Sequence, residues 1–210
     1  MTERSNPEVV LATRNMKKCA ELRAILAPYA VAVRSLADYG DVPEVIEDGA
    51  TFSENAARKA SQVARALGRW TIGEDSGLEV DALNGAPGVY SARFSGEGAT
   101  DASNNALLAA RLEETRDELR GARYVCHVAV ADATGNVRLH VEATCRGRIT
   151  REPRGTQGFG YDPYFLIPEL HRTFGELSPL VKRQLSHRGR ALRRLIPPLL
   201  TLLMANATGD

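Results

Sequence analysis

The 210-residue sequence is short of several things, and each shortage excludes something. Cysteine occurs only at Cys19, Cys126 and Cys145, far apart and without Cys-x-x-Cys or nearby Cys/His ligand spacing. Neither a disulfide scaffold nor a thiolate metal site is written into that pattern. Net charge is almost absent: 27 Lys and Arg against 26 Asp and Glu leave +1. No whole-molecule field therefore draws the chain to nucleic acid or to an anionic membrane. No window approaches the ~20 apolar residues that span a bilayer. Met1 to Glu8 is polar and mixed in charge, unlike a signal peptide. Aromatics make up 6% of the chain, yet 43% of it is hydrophobic, enough to bury a core and to exclude a disordered chain. A cytoplasmic, globular protein with reduced thiols is the expectation.

What is present alternates between strand and helix patterns. Val9-Val10-Leu11-Ala12 reads as a buried strand, broken by Thr13-Arg14-Asn15 before a helix from Met16 to Ala27. Val31, Val33 and Leu36 alternate as a second strand, and residues 37–50 read as an acidic loop. Thr51-Phe52-Ser53-Glu54 is a capping box. It opens a helix with Phe52, Ala56, Ala60, Val63 and Leu67 on one stripe and Asn55 and Lys59 at its edge. Trp70 to Gly73 reads as a strand entering Glu74-Asp75-Ser76-Gly77, and Leu78 to Leu83 alternates with period two. The pattern predicts a helix over Asp101 to Leu119, then a hairpin of Ala122 to Asp132 and Val137 to Ile149. Ser178 and Ser186 read as helix N-caps, with Pro179 in the first helical position. The last helix runs from about His187 to Leu195, is interrupted at Pro197-Pro198, and resumes as Leu199 to Met204. Helices before, between and after strands argue a single α/β domain over 1–210 with a mixed sheet and flanking helices.

Four polar clusters carry chemistry as well as structure. Thr13-x-Asn15-x-x-Lys18 sits at a strand-to-helix junction, where free N–H groups and a lysine one turn in make a phosphate seat. Alone it is equally an Asn cap with a solvated lysine. Glu47 and the pair Glu74-Asp75 are candidate ligands for Mg2+ and candidates to orient or deprotonate water. An ordinary Asx turn at Asp75 is the plain alternative. Phe159-Gly160-Tyr161-Asp162 offers close backbone approach and an aromatic that can stack on a base, or simply a turn with a core aromatic. Lys182 with Ser186-His187-Arg188 places donors at a helix start, within a basic run that also suits a solvated face or a nucleic-acid patch. Phosphate donors, an acidic metal loop, a stacking aromatic and a donor pair are together the parts needed for a nucleoside triphosphate.

Taken in order, Thr13-x-Asn15-x-x-Lys18, Thr51-Phe52-x-Glu54-Asn55-Ala56-x-x-Lys59-Ala60, Asp75-Ser76-Gly77-Leu78, Pro87-Gly88-x-Tyr90-Ser91-Ala92-Arg93, Phe159-Gly160-Tyr161-Asp162-Pro163 and Ser186-His187-Arg188 resemble the inosine triphosphate pyrophosphatase family, also called dITP/XTP pyrophosphatases. The match runs from about residue 9 to about 195. It implies an elongated α/β fold with two lobes around a central substrate cleft, and a homodimer. It also implies Mg2+-dependent hydrolysis of ITP, dITP and XTP to monophosphate and pyrophosphate. On that resemblance Thr13, Arg14, Asn15, Met16, Lys17, Lys18 and Lys59 contact the triphosphate. Asp75 is the catalytic carboxylate and a metal ligand, Glu47 a second ligand, Glu74 a third candidate, and Ser76 a substrate contact. Phe159, Gly160, Tyr161 and Asp162 form the base-side wall, with Phe159 the stacker, and Lys182, His187 and Arg188 bind substrate. Two positions depart from the family's pattern: Glu74 stands where Asp is common, and Arg14 replaces a small residue. The expected partner is a purine nucleoside triphosphate, with no nucleic acid or membrane. A binding-only nucleotide protein and a terminal phosphatase releasing orthophosphate are the competing classes. A serine or cysteine nucleophile is disfavoured, since Ser76 has no evident histidine partner.

Overall fold

The computed structural model describes residues 6–40, 42 and 45–207, apart from the side chains of 206 and 207. Residues 1–5 of the polar N-terminal stretch, and 41, 43 and 44 of the acidic loop, lie outside the described residues. In chain order the elements are β1 (Glu8–Leu11), α1 (Met16–Leu26), β2 (Ala32–Ser35), α2 (Phe52–Leu67), β3 (Thr71–Val80), α3 (Asp101–Arg111), β4 (Gly121–Ala131), β5 (Val137–Ile149), β6 (Phe165–Ile167), β7 (Arg172–Thr173), α4 (Pro179–Leu185) and α5 (His187–Ala207). The strands form one sheet in the order β2-β1-β3-β4-β5-β6-β7. It is mixed, as expected: β1 runs parallel to β2 and β3, whereas β6 is antiparallel to β5 and β7. No helix among the described residues is long and apolar enough to cross a membrane.

The chain divides into two compact units. The first comprises residues 1–75, 127–142 and 191–210. Its core includes a small-residue cluster, Ala56, Ala60 and Ala64 of α2 with Ala129 and Ala131 of β4, all buried. Alanine on the α2 stripe lets helix backbone approach strand closely. Gly73 on β3 extends that approach, because a Cβ there would strike Ala56 O and Ala60 N. The second unit comprises residues 76–126 and 143–190. Its core gathers Leu78, Leu108, Leu112, Tyr124, Tyr161, Phe165 and Phe174, among others, with Tyr124 and Phe165 centroids 4.5 Å apart.

Several boundaries differ from the sequence expectation, each for a physical reason. The strand over 70–73 and the alternation over 78–83 are one ten-residue strand, with Asp81–Leu83 turning as a 3-10 helix. Glu74 and Asp75 therefore lie inside β3 rather than in a loop after a strand. Acidic residues are tolerated there because Lys18 and Lys59 stand against them. The helix predicted over 101–119 stops at Arg111. Beyond it, guanidinium groups capture the chain's carbonyls: Arg120 donates to Leu112 O at 2.9 Å and Arg151 to Glu113 O and Thr115 O. Leu119, expected on the apolar face, is half exposed. In β2, Val33 and Ser35 point inward and Leu36 already begins a 3-10 turn. Finally, α5 continues through Pro197-Pro198. An internal proline costs a helix about 3 kcal/mol. Leu195, Leu199 and Leu203 bury one unbroken face across the prolines, at about 1.5–3 kcal/mol each. The short strands β6 and β7 had no clear alternation to announce them.

Candidate functional site

In the first unit, the loop after β1 is shaped by its own side chains. Asn15 Oδ1 accepts from Lys17 N at 3.0 Å and Lys18 N at 3.2 Å, and Thr13 Oγ1 accepts from Asn15 N at 3.1 Å. Asn15 is thus the N-cap of α1, with Arg14, Asn15, Met16 and Lys17 exposed. Lys18, one turn in, places its ammonium 3.0 Å from the buried Glu74 carboxylate. Half of the expected capping box forms: Thr51 Oγ1 accepts from Glu54 N at 3.1 Å, while the Glu54 carboxylate reaches past Thr51 and accepts from Ala50 N at 2.7 Å. This start of α2 aims Asn55 and Lys59 at β3. Lys59 Nζ lies 3.0 Å from Asp75 Oδ1, 2.7 Å from Glu47 Oε2 and 3.2 Å from Glu74 O. Burial alone would depress the Lys59 ammonium. The charges of Asp75 and Glu47 outweigh it, and the group is held above its ordinary value.

Asn55 was legible only as part of a motif, not as a site residue. It is buried, accepts from Gly49 N at 2.8 Å and donates to Asp75 Oδ2 at 3.3 Å. One amide thereby ties the Glu47 segment to the Asp75 carboxylate. Thr13, Arg14, Lys18, Glu47, Lys59 and Glu74 line a cavity of about 470 Å³. Ser76 follows half-buried on β3. Among the described residues, no three His, Cys, Asp or Glu side chains are grouped so as to hold a metal ion by themselves. The hard oxygens of Glu47 and Asp75 nevertheless already converge on one cation, the Lys59 ammonium. That donor set fits a Mg2+ ion that completes its shell with water and phosphate oxygens.

In the second unit, the turn at 159–162 is built around Asp162. Its carboxylate accepts from Phe159 N at 2.8 Å and pairs with Lys182, whose ammonium stands 4.7 Å from the Phe159 ring centroid. Burial pushes the Asp162 carboxyl up, and Lys182 and the Phe159 amide offset part of that rise. The Phe159 ring itself is 60% exposed. Tyr161 does not face outward with it: its ring lies in the core and its hydroxyl donates to Ser91 O at 2.8 Å. The tyrosine side chain is thus a core group that braces this turn. Gly160, at φ +59°, is held at both ends of its peptide by α3.

His187 opens α5 with its ring stacked on Tyr124, centroids 4.6 Å apart and planes 11° from parallel. Arg188 beside it is buried. Ser186 Oγ accepts from Gly189 N at 3.1 Å, which makes it the cap expected for this helix. The structure therefore collects Asn15, Lys18, Glu47, Lys59, Glu74 and Asp75 in one unit. In the other, Phe159, Asp162 and Lys182 form one group and His187 stands on Tyr124. Sequence reading missed Tyr124, whose only signal was an inward position on a β-rich run, and the α3 residues that hold Gly160.

These residues are set in a chain with extensive relatives. It is 52% identical over 201 residues to the dITP/XTP pyrophosphatase of Rhodopirellula baltica, covering 96% of this chain and 97% of that one. It is 48% identical to the dITP/XTP pyrophosphatase of Exiguobacterium sibiricum, over 93% and 98% of the two chains. Among solved structures it matches a HAM1 protein from Coxiella burnetii with a TM-score of 0.86 and 39% identity, over 95% and 99% of the chains. The nucleoside-triphosphatase / dITP/XTP pyrophosphatase of Mycobacterium abscessus gives a TM-score of 0.76 and 45% identity, over 91% and 99%. The model of the Ham1 family matches residues 9–197, and with that span and those identities the chain belongs to the Ham1 family.

Proposed function

We propose that this chain hydrolyses the non-standard purine nucleoside triphosphates dITP, ITP and XTP to the nucleoside monophosphate and pyrophosphate. The observation that carries the reading is the setting of Asp75, bracketed by Asn55 Nδ2 on one oxygen and Lys59 Nζ on the other. Relatives named dITP/XTP pyrophosphatase over almost their whole length support the substrate class.

In this mechanism the triphosphate lies against the start of α1, where the positive end of the helix dipole and the Lys18 ammonium meet its negative charge. Arg14 and Lys17 add exposed positive charge at the same loop. As phosphate oxygens take over Lys59, Asp75 Oδ1 is released to accept a proton from water. The water oxygen bonds to the α-phosphorus, the α–β anhydride bond breaks, and pyrophosphate departs with the electron pair against Lys18 and Lys59. Preset donors of this kind contribute about 10²–10³ in rate each. Glu47 and Asp75 would hold Mg2+, with Glu74 keeping Lys18 in place beside them. When bound, the ion neutralises phosphate charge and makes bound water more acidic.

Base choice is assigned to the second unit. Phe159 supplies a stacking face, with Asp162 and Lys182 fixing its turn. His187 or Arg188 donates to the 6-oxo group of hypoxanthine or xanthine. Adenine presents an amino donor there and leaves the protein donors unpaired, a penalty of about 1–3 kcal/mol. We place the enzyme in the cytoplasm as a homodimer, on the family resemblance and on three buried cysteines that form no disulfide with one another, as suits a reducing compartment. The test is to incubate the chain with Mg2+ and ITP, XTP, GTP or ATP and to measure pyrophosphate and orthophosphate separately. Pyrophosphate from ITP and XTP, with little from ATP or GTP, is expected. Orthophosphate as the first product would replace this reading with a terminal phosphatase.

A further inference from the structure

The turn that presents Phe159 is gripped from a helix with no role in the proposed chemistry. Gly160 N–H donates to Asp101 Oδ2 at 2.7 Å, and Gly160 O accepts from Asn105 Nδ2 at 2.8 Å. Asp101 and Asn105 are four residues apart in the first turns of α3 and share one face. Together they engage both polar groups of a single residue, which sits in the left-handed region at φ +59°. On the other side of the turn, Phe159 N–H donates to Asp162. Tyr161 is anchored through its hydroxyl to Ser91 O, and Asn104 of α3 donates to the same carbonyl. The backbone on both sides of the aromatic ring is thus fixed, while the ring itself is mostly exposed, with the Lys182 ammonium 4.7 Å from its centroid.

We infer that Asp101 and Asn105 are positioning residues for base recognition, clamping the Gly160 peptide so that the Phe159 ring is held ready to stack. The inference rests on the stacking role proposed above for Phe159. Stability alone explains Asn105 poorly. Its Oδ1 is buried with no hydrogen-bond donor among the described residues, a burden that an apolar side chain would not carry. Asn105 turns its one useful donor to Gly160. Asp101 adds a carboxylate at a helix N-terminus, where it is favoured, and directs it at the turn. Without the clamp, the ring has to be ordered as the base arrives, which weakens binding without touching the reacting phosphates.

The experiment compares Asn105→Asp, Asp101→Ala and Phe159→Ala with the parent chain. It follows KM and kcat for ITP and the inhibition constant of inorganic tripolyphosphate, a ligand with triphosphate chemistry but no base. Asn105→Asp keeps size and shape but turns an acceptor toward Gly160 O. It is expected to raise KM about tenfold, the scale of one base–aromatic stack. The kcat stays within about twofold and tripolyphosphate inhibition is unchanged. Phe159→Ala raises KM by a similar factor, and adding Asn105→Asp to it raises KM no further. If KM and tripolyphosphate inhibition worsen together, or if the two substitutions multiply, the clamp is overturned. A KM effect of Phe159→Ala with none from Asn105→Asp overturns the clamp and leaves the stacking role standing. No effect from Phe159→Ala removes both. If no triphosphate is turned over, the proposed activity falls, and hydrogen exchange at the Gly160 amide tests the clamp without turnover. Exchange about tenfold or more faster in Asp101→Ala supports it, and an unchanged rate overturns it.

Discussion

The Lys59 ammonium lies 3.0 Å from Asp75 Oδ1 and 2.7 Å from Glu47 Oε2, so one lysine on α2 neutralises two carboxylates from different segments. Both are the groups proposed to hold Mg2+, and the lysine is proposed to move to phosphate. Metal and triphosphate should therefore favour one another's binding. Lys59→Met separates the two effects, because it releases the carboxylates while removing a phosphate donor. Mn2+ alone should bind several-fold tighter to the variant than to the parent, and tripolyphosphate at least tenfold weaker. Titration calorimetry reads both, and weaker binding of metal and anion alike would contradict the shared-lysine arrangement. The stability sign is also defined. A lysine held above its ordinary value contributes stability that is full below 10.5 and is lost as pH rises through the higher folded value. The stability gap between parent and variant should thus be flat near neutrality and close at strongly alkaline pH.

Asp75→Asn keeps the shape of the side chain and its place beside Asn55 and Lys59, but removes the base. Turnover of ITP should fall by at least about 10³, the upper range for removal of one acid–base group, while the thermal midpoint moves by only a few degrees. A stopped-assay rate near that of the parent would move the catalytic role to another carboxylate.

Gly73→Ala tests whether α2 must touch β3 for Lys59 and Asn55 to reach Asp75. A Cβ at Gly73 would meet Ala56 O and Ala60 N inside contact distance and Lys59 Cβ at 3.0 Å. Backbone atoms cannot swing aside, so the helix must lift. A loss of about 1–3 kcal/mol of stability is expected, together with a fall in kcat larger than any change in ITP-over-ATP preference. Chemical denaturation and steady-state kinetics measure the two parts. Unchanged kcat in the folded variant would show that helix contact at Gly73 does not set the Asp75 geometry.

Much of this arrangement could be read before any coordinates. The stripe Phe52, Ala56, Ala60, Val63 placed Asn55 and Lys59 at its edge, and both indeed turn to β3, Asn55 from a buried and Lys59 from a half-buried position. Local chemistry such as the Asn15 and Thr51 caps was equally legible, because it depends on neighbours within four residues. What failed was decided at long range. The strand over 70–73 reads as ending at Glu74-Asp75, because two carboxylates rarely continue a strand. Lysines 16 and 56 residues away in sequence, Lys59 and Lys18, make it possible. The end of α3 depends on Arg120 and Arg151, and Tyr161 faces inward because Ser91, 70 residues earlier, takes its hydroxyl. A motif names residues without saying which of them face the ligand.

His187 gives the sharpest test of base choice. Its ring lies on Tyr124, which is buried among Phe165 and Phe174, so the imidazole is oriented by a fixed aromatic floor. Offset-stacked pairs contribute about 0.5–1.5 kcal/mol beyond burial, enough to hold one ring plane without freezing which nitrogen carries the proton. His187→Ala should lower kcat/KM for ITP by about tenfold or more while changing ATP hydrolysis little, because a donor facing the 6-amino group of adenine contributes nothing to ATP. Tyr124→Leu keeps an apolar floor but loses the flat face. It should give a smaller change in the same direction, with Phe at that position restoring the preference. Equal losses with ITP and ATP in His187→Ala would mean that this histidine contacts a part of the substrate common to both. The donor for the 6-oxo group would then have to be Arg188.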